Sequence, residues 1–531
     1  MSTLMDARAL RNSIGAAQES VGRLDAAAAA QDLAAVQLEA TRTRASTSGL
    51  AWRIAEHVPV FAGTARATTA LAEVADDLAA AVEPMVKSLQ GTTTTADKAL
   101  AVLHEPESLA KLAVTVRAAA ERMNGVSAGL LMFGLGGAVS EAQQALPAMA
   151  DSLESMAKAT GPMLSMLGAD RPTTWLVMAQ NPDEIRGSGG LFSAYLLVRF
   201  TDGKMEIVEA GSRKQLDREF PRTEQIPYFT ATDIDTASTW GPSLGEWAVF
   251  NIAPDFPTVA RLAAAGMAKR GTPVDGVIAI DPAITAAILA GTGSVEHAGV
   301  TIDASNAQEF FSKGLYEKYP GFADVQAKDQ LAMGLTYATI DAAMKRPLDV
   351  SSLWSAMQAA IEGGHLKVWA KKPANQDWLM TLPVASAFAQ QPNVPVVGFV
   401  NATGGKLDAY ISRDVTIDTS RCPADKEIDL RVEMKNSAPT GLPGYVDVSL
   451  DQNGDPDPSV RPGYSKTLVT VYGPGSAAPG ASYRTTATLE GKSVSPVYGS
   501  TAGRPNWMFT VPLQRGESAT IATTLKVSTC P

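Results

Sequence analysis

Apolar and polar positions follow a helical pattern up to about residue 168. Apolar side chains recur at helical spacing in LAEVADDLAAAVEPMVKSL, and Ala, Leu, Glu, Gln and Arg predominate. Prolines and capping residues interrupt this pattern in HVPVFAGTARATT, from residue 57, and in HEPESLAK, from residue 104. Residues 1–168 are therefore predicted to form an antiparallel helical bundle.

A β-like pattern begins after Pro172. The runs TTWLVMAQ, LFSAYLLVRF and MEIVEAG resemble strands, and Asp202-Gly203 between the last two is a strong hairpin signal. Helical segments around 255–270 and 304–318 then alternate with the strand-like run VDGVIAID. This alternation predicts a central α/β domain over residues 169–400.

The last part of the chain consists of short strand-like runs. KLDAYISRDVTIDTS, EIDLRVEMKNS, KTLVTVYGP and ESATIATTLKVSTC are separated by Gly, Pro, Asn and Asp, which predicts an immunoglobulin-like β-sandwich over residues 401–531. The chain's two cysteines, Cys422 and Cys530, frame this segment. We expect a disulfide between them and an oxidising compartment, although two unrelated buried thiols are the alternative.

Composition and apolar run length narrow the class of protein. The formal charge of -10 gives no positive field for nucleic acid or anionic lipid. The longest apolar run, at 126–139, is too short to cross about 30 Å of hydrocarbon. The first thirty residues also lack the pattern of a signal peptide. An extracytoplasmic protein with this sequence is therefore expected to have an N-terminal membrane anchor that this chain lacks. The alternative is that the protein does not lie outside the cytoplasm.

Several stretches resemble catalytic, cofactor-binding or metal-binding motifs, but we assign no such function to them. Ser243 in GPSLG occupies the nucleophile position of an elbow motif, but Pro242 precedes it and no strand leads into it. GLGGAV at 134–139 lies in the helical region and is interpreted as a close helix contact. The spacing of the histidines argues against a zinc site. They are His57, His104, His297 and His365.

The stretch AQNPDEIRGSGGLFSAY, residues 179–195, is unusually rich in turn residues and charge. Asn181, Pro182 and Asp183 can start a turn. The glycines at 187, 189 and 190 permit positive φ and close approach of a ligand or of another backbone.

Arg186 is the candidate binding residue of this stretch. Its guanidinium offers a planar set of donors that suits phosphate or carboxylate. The alternative is an ion pair with Glu184 or Asp183 that rigidifies a long loop.

A second charged group lies in GSRKQLDREFPR, which begins at residue 211. Because a hairpin returns the chain to the same sheet edge, Arg213 is expected to lie near Arg186. The two arginines would form an anion site, with Asp217 available for Mg²⁺ or for positioning a nucleophile. A solvated turn is the alternative, above all for the remaining cations. These are Lys214, Arg218 and Arg222.

Asn251 and Asp255 precede a predicted helix. They are candidates for shaping the pocket, although helix capping alone would explain Asp255, which is followed by Pro257 in the first turn.

The chain resembles the bacterial envelope family called domain of unknown function 4012. The resemblance rests on VPVFAG, NPDEIRGSGGLFSAYLLVRFTDGKMEI, NIAPDFPTVARL, VDGVIAIDPAITAAILAGTG, GKLDAYISRDV and KNSAPTGLPGYV. It implies a membrane-anchored, extracytoplasmic protein associated with exopolysaccharide or cell-wall glycan. Within its Asn-x-x-Glu-x-Arg-x-x-Gly-Gly block, we take Asn181, Glu184, Gly189 and Gly190 as candidate ligand-binding residues.

The central region is also distantly similar to the LytR-CpsA-Psr phosphotransferases, which move glycan from a polyprenyl-pyrophosphate carrier. Arg186, Arg213 and Asn251 fall at or near positions of that family's pattern, whereas Asp217 stands four residues after Arg213 instead of adjacent to an arginine. The similarity implies catalytic roles for Arg186, Arg213 and Asp217.

Two functional hypotheses follow. The first is a protein of envelope glycan assembly or attachment, catalytic or not, that binds a lipid-linked (pyro)phosphate. The second is a non-enzymatic envelope scaffold that binds partner proteins through the bundle and the sandwich.

Overall fold

The computed structural model describes the chain in two compact units, residues 1–170 and 171–531. It describes every residue except 1, 23–24, 50–51, 53, 55–56, 59–60, 93–94, 128–130, 132–134, 220–245, 451–454 and 476–485. Arg222 and Ser243 from the sequence analysis therefore lie outside the described residues.

The first unit is helical, as the sequence predicts. Its helices are α1 (Ser2–Gly22), α2 (Ala26–Thr47), α3 (Ala62–Ser88), α4 (Thr95–Leu103), α5 (Pro106–Asn124) and α6 (Leu135–Met166). Alanines on α3, such as Ala67, pack against Val116 and Met123 of α5 and Val139 of α6, because small side chains let helices approach closely. Among the described residues, no helix is both long enough and apolar enough to cross a membrane.

The glycine-rich start of α6 does not make the expected close helix contact at Gly137. Apart from its chain neighbours and the backbone of α6 itself, no atom of the described residues lies within 4 Å of the position that a Cβ would occupy there.

The second unit begins with a five-stranded mixed sheet in the order β3-β2-β1-β4-β7. Its strands are β1 (Thr173–Arg186), β2 (Gly189–Thr201), β3 (Lys204–Ser212), β4 (Gly276–Ile280) and β7 (Leu366–Ala370). A separate hairpin joins β5 (Val295–His297) and β6 (Val300–Ile302). β1 and β4 are parallel and the other neighbours antiparallel. Asp202 and Gly203 both have positive φ between β2 and β3, so the predicted hairpin is confirmed.

Helices accompany this sheet, and the first two of them contribute side chains to its core. They are α7 (Arg213–Glu219), α8 (Phe256–Lys269), α9 (Pro282–Thr292), α10 (Ala307–Glu309), α11 (Leu315–Lys318), α12 (Val325–Lys345), α13 (Val350–Glu362) and α14 (Pro373–Leu379), and a π-helical turn (Phe310–Gly314) links α10 to α11. Phe192, Trp247 and Phe250 lie in mutual ring contact in the core, with centroids 5.5 to 5.9 Å apart. The mixed α/β character predicted for this region is confirmed.

Two further sheets form a sandwich at the end of the chain. One has the order β13-β12-β16-β10-β9 and the other β14-β15-β11-β8. The strands are β8 (Val396–Asn401), β9 (Ile411–Asp418), β10 (Glu427–Asn436), β11 (Ser465–Tyr472), β12 (Thr486–Leu489), β13 (Lys492–Ser493), β14 (Val497–Thr501), β15 (Arg504–Leu513) and β16 (Ser518–Lys526), and two short helices are α15 (Cys422–Asp425) and α16 (Gly444–Asp447). Alternate side chains of both sheets, such as Val432 and Val469, share one core.

The predicted disulfide is present. Cys422 and Cys530 are bonded, with Cα atoms 5.8 Å apart, and the bond closes a loop with a sequence separation of 108. β8 precedes the predicted boundary at residues 400 and 401, yet it pairs with β11 of the sandwich. The division of this second unit into two domains stays a prediction.

Candidate functional site

The end of β1 leaves regular pairing at the stretch that the sequence singles out. Asn181 pairs with Leu191, and the next paired residues are Ile185 and Gly190, so residues 182–184 bulge out of the ladder. The Asn181 side-chain oxygen accepts a hydrogen bond from the Asp183 amide at 3.0 Å, which confirms the predicted local turn. The three charged residues of this stretch, Asp183, Glu184 and Arg186, therefore contact different parts of the fold.

The glycine loop, residues 187–190, lies directly against the backbone of residues 251–253. A Cβ at Gly187 would be 1.8 Å from the Ile252 carbonyl oxygen. Asn251 donates to the Gly190 carbonyl oxygen at 2.7 Å, and the Ser188 hydroxyl donates to the Asn251 carbonyl oxygen at 3.2 Å. The close approach that these glycines permit is therefore that of another backbone segment.

Gly189 has the positive φ expected from its residue type, at 133°. A Cβ there would be 2.5 Å from the Gln180 side-chain oxygen. Asn251 is fully buried. Ligand-binding roles for Gly189, Gly190 and Asn251 stay predictions, and the contacts observed at all three are contacts within the fold.

The Arg186 guanidinium is held on one side only. Its Nη1 donates to the carbonyl oxygens of Ile185 at 3.0 Å and Asn401 at 3.3 Å. Its Nε and Nη2 make no hydrogen bond to the described residues, and none of those residues supplies it with an ion-paired carboxylate. Burial lowers the pKa of Arg186 to about 10, while the charge of Asp408 acts in the opposite direction. The alternative ion pair of Arg186 with Asp183 or Glu184 is not formed.

Arg213 lies at the start of α7, immediately after β3. Its positive charge contributes to the lowered pKa of Arg186. The close approach of the two guanidinium groups stays a prediction of the hairpin argument. Arg213 forms an ion pair with Asp217 one helical turn later. Lys214 and Arg218 on the same short helix are exposed, which favours the solvated-turn interpretation for both.

Asp217 is poorly suited to hold Mg²⁺ by itself. Its carboxylate is already paired with Arg213. In the parts of the chain that the structure describes, no group of three or more His, Cys, Asp or Glu side chains could hold a metal ion. Among the described residues, Asp217 and its neighbours therefore do not fit a metal site built by the protein.

Glu184 forms a buried ion pair with Lys406, 222 residues away in the sequence. Both side chains are about 7% exposed. The Lys406 ammonium also lies 5.8 Å from the ring centre of Tyr316 and 5.0 Å from that of Tyr445. Glu184 therefore links the bulge of β1 to Lys406, which lies between the sandwich strands β8 and β9. The ligand-binding role of Glu184 stays a prediction.

Asp183 and Asn181 are bound to the helical turns that follow residue 307. The Asp183 Oδ1 accepts a hydrogen bond from the Ser312 hydroxyl at 2.6 Å, and Asn181 donates to the Tyr316 hydroxyl at 2.8 Å. The Asp183 side chain is buried, and its Oδ2 has no hydrogen-bond partner among the described residues. Burial raises the pKa of Asp183 to about 7, although Ser312 and Lys406 act in the opposite direction.

The raised pKa of Asp183 predicts a specific pH dependence of stability. The folded protein retains this proton at pH values where the unfolded chain has lost it, so stability falls as pH rises from about 4 to about 7. Asp183→Asn removes this loss. We expect the variant to match the wild type at pH 4 and to exceed its unfolding free energy by about 2 kcal/mol at pH 8, measured by urea denaturation.

The exposed Asp414 supplies the control for this experiment. Asp414→Asn changes the net charge equally and is expected to leave the pH profile of the wild type in place. A lower stability of Asp183→Asn than of the wild type at pH 8 would contradict the account.

Asp408, Asn401 and Arg413 form a group that the residue-level prediction missed. The Asp408 Oδ2 accepts hydrogen bonds from the Ile185 amide at 3.0 Å and from the Asn401 side chain at 2.6 Å, and its Oδ1 accepts from Arg413. The only sequence signal was the run GKLDAYISRDV, in which charged residues follow a Gly-Gly pair just before a strand. The hydrogen bond from the Ile185 amide to Asp408 thus fixes the end of β1, and Asn401 and Arg413 hold Asp408 in place.

Asp255 caps α8. Its Oδ2 accepts hydrogen bonds from the Thr258 amide at 3.2 Å and hydroxyl at 2.6 Å, and its Oδ1 accepts from the Phe388 amide at 2.8 Å. Pro257 occupies the first turn, as predicted. All of these contacts are structural, and a role of Asp255 in shaping a pocket stays a prediction.

Fold and site together define a mixed α/β protein with a partly buried arginine at the end of a central strand, and no described carboxylate pairs with this arginine. Residues 170–316 match the model of the family described as "Protein of unknown function (DUF4012)", which confirms the resemblance over that segment. No curated protein and no solved structure matches the chain.

Proposed function

We propose that this protein acts outside the cytoplasm in the assembly or attachment of an envelope glycan, and that Arg186 binds the phosphate or pyrophosphate of a lipid-linked glycan. One observation carries the proposal. The Arg186 guanidinium is desolvated enough to lower its pKa, yet two of its nitrogens have no partner among the described residues.

An anion at Arg186 would remove an energetic penalty. A buried charge without a counterion is costly, and Arg213 adds to the positive potential. A diphosphate offers oxygens that match the planar donors of a guanidinium. The side chain is partly exposed, so a ligand can reach it. In a transfer reaction, Arg186 and Arg213 would neutralise charge on the departing pyrophosphate.

Two further observations support an envelope protein with a central domain of LytR-CpsA-Psr-like fold. The Cys422–Cys530 disulfide is compatible with an oxidising compartment outside the cytoplasm. Arg186 is the last residue of the first strand, Arg213 directly follows the third, and β4 lies within VDGVIAID, an order that supports the proposed similarity to that family. We also propose an N-terminal membrane anchor beyond this chain, and an immunoglobulin-like topology for the sandwich.

A non-enzymatic scaffold is the second candidate. The glycine loop and Asn251 brace the fold, and Asp217 is paired with Arg213. Large apolar side chains are exposed on the helical and sandwich surfaces of the two units, including Val114 at 70%, Trp354 at 64% and Tyr498 at 60%. Exposed apolar groups of this kind favour partner-protein binding.

Calorimetric titration with polyprenyl pyrophosphate and with inorganic pyrophosphate, each with and without Mg²⁺, tests the proposal. We expect the wild type to bind and Arg186→Met to lose about tenfold or more in affinity, because a charge-assisted bidentate contact is lost. Arg218→Met removes the same charge from an exposed position nearby and is expected to change affinity by about twofold at most.

Melting temperatures of both variants establish that the fold is kept. Tighter binding of the polyprenyl form than of the inorganic anion would support a lipid-linked ligand. No binding by the wild type of either compound would overturn the proposal and leave the scaffold hypothesis.

A further inference from the structure

The segment of residues 401–413, from the last residue of β8 to the third residue of β9, contacts Arg186 and its neighbour at two points. The Asn401 carbonyl oxygen accepts a hydrogen bond from the Arg186 guanidinium at 3.3 Å. The Asp408 carboxylate accepts one from the Ile185 amide at 3.0 Å. The backbone before Arg186 and the guanidinium itself are therefore both held by one segment, which connects the sandwich strands β8 and β9.

Asp408 is itself fixed on both sides. The Asn401 side chain donates to its Oδ2 at 2.6 Å, and Arg413 pairs with its Oδ1. Arg413 is in turn held by the Ile411 carbonyl oxygen at 3.0 Å. Both carboxylate oxygens thus have donors other than Arg186, so Asp408 supplies negative charge near the guanidinium without occupying its Nε and Nη2.

We infer that Asp408 is a positioning residue of the Arg186 anion site, and that the 401–413 segment completes this site. The inference rests on the proposed function, because it assumes that Arg186 binds an anion. The site is then formed jointly by the central sheet and the segment that connects β8 to β9 of the sandwich.

The substitution Asp408→Asn distinguishes a positioning role of Asp408 from a purely electrostatic effect of its charge on anion binding. The substitution removes a negative charge near the site, which by electrostatics alone would strengthen the binding of an anion. An asparagine cannot accept from every donor that surrounds Asp408, because its amide nitrogen must face either Arg413 or the Ile185 amide and Asn401. If Asp408 positions Arg186, the variant will bind inorganic pyrophosphate about tenfold more weakly than the wild type.

Asp414→Asn is the matched control. Asp414 lies on β9 one residue after Arg413 and is exposed, so the substitution changes the charge equally without touching the site. Its affinity is expected to stay within about twofold of the wild type. Equal or tighter binding of pyrophosphate by Asp408→Asn would overturn the positioning role.

A measurement without ligand distinguishes the loss of the contact between Asp408 and Ile185 from a general loss of folding in the variant. Hydrogen exchange at the Ile185 amide, followed by mass spectrometry, reports its bond to Asp408 directly. We expect faster exchange there in Asp408→Asn, and a smaller increase in Arg413→Lys, which keeps the positive charge beside Asp408. Exchange over β16 is expected to stay at the wild-type level, which shows that the sandwich is folded.

The two kinds of failure are distinguishable. A wild type that binds no pyrophosphate overturns the proposed function. Unchanged exchange at Ile185 in Asp408→Asn overturns the positioning role, whatever the result of the titration.

Discussion

Gly187→Ala is expected to destabilise the second unit by about 3–5 kcal/mol or to prevent its folding. The added Cβ would lie 1.8 Å from the Ile252 carbonyl oxygen and 2.8 Å from the Ala253 carbonyl carbon. Both neighbours are backbone atoms, so no flexible side chain can move aside. Urea denaturation, followed by the fluorescence of the buried Trp247, measures the loss.

Gly444→Ala provides the comparison for Gly187→Ala. No atom lies within 4 Å of the corresponding Cβ position at Gly444, which begins α16 in the same unit. We expect a change of about 0.5 kcal/mol or less. If both variants are equally stable, the contact between the glycine loop and residues 251–253 is not as close as described.

Glu184→Ala is expected to cost about 3–5 kcal/mol, because it leaves the Lys406 ammonium buried without its counterion. The double variant Glu184→Ala/Lys406→Met removes both charges and is expected to regain most of this loss. The exposed pair of Arg431 and Glu433 provides the control, since Glu433→Ala should change stability by less than about 1 kcal/mol.

Chemical denaturation of the wild type and of these three variants at pH 7 measures the differences in unfolding free energy. A double variant that is no more stable than Glu184→Ala alone would show that the cost arises from lost packing. The buried-charge explanation would then be wrong.

Local signals in the sequence were sufficient for much of the fold. Asp202-Gly203 predicts the β2–β3 hairpin because both residues accept positive φ. Asp255 and Pro257 predict the start of α8 because capping depends on adjacent residues. Cys422 and Cys530 predict the disulfide because the chain offers one possible pair.

The candidate site could be predicted only in part, because its contacts join distant parts of the sequence. Hairpin geometry predicts that Arg213 lies near Arg186, and the charge of Arg213 contributes to the lowered pKa of Arg186. The partner of Glu184 is 222 residues away, and Asp408 reaches Ile185 across 223 residues. No local pattern specifies such pairings, so the sequence could suggest an ion pair between Arg186 and Glu184 that the fold does not form.

The function of the glycine loop shows the same limit. Three glycines indicate a close approach, but their residue type does not say what approaches. The structure shows the backbone of residues 251–253 against Gly187. The Arg213–Asp217 pair is different, because its helical spacing of four residues could have been predicted once α7 was recognised.

A crystal structure of the protein with bound pyrophosphate is the most direct test of an anion site at Arg186. We expect a phosphate oxygen within hydrogen-bonding distance of the Arg186 Nε or Nη2, with Nη1 still bonded to the Ile185 and Asn401 carbonyl oxygens. A pyrophosphate bound away from Arg186, or an Arg186 side chain paired with a carboxylate of the protein, would contradict it.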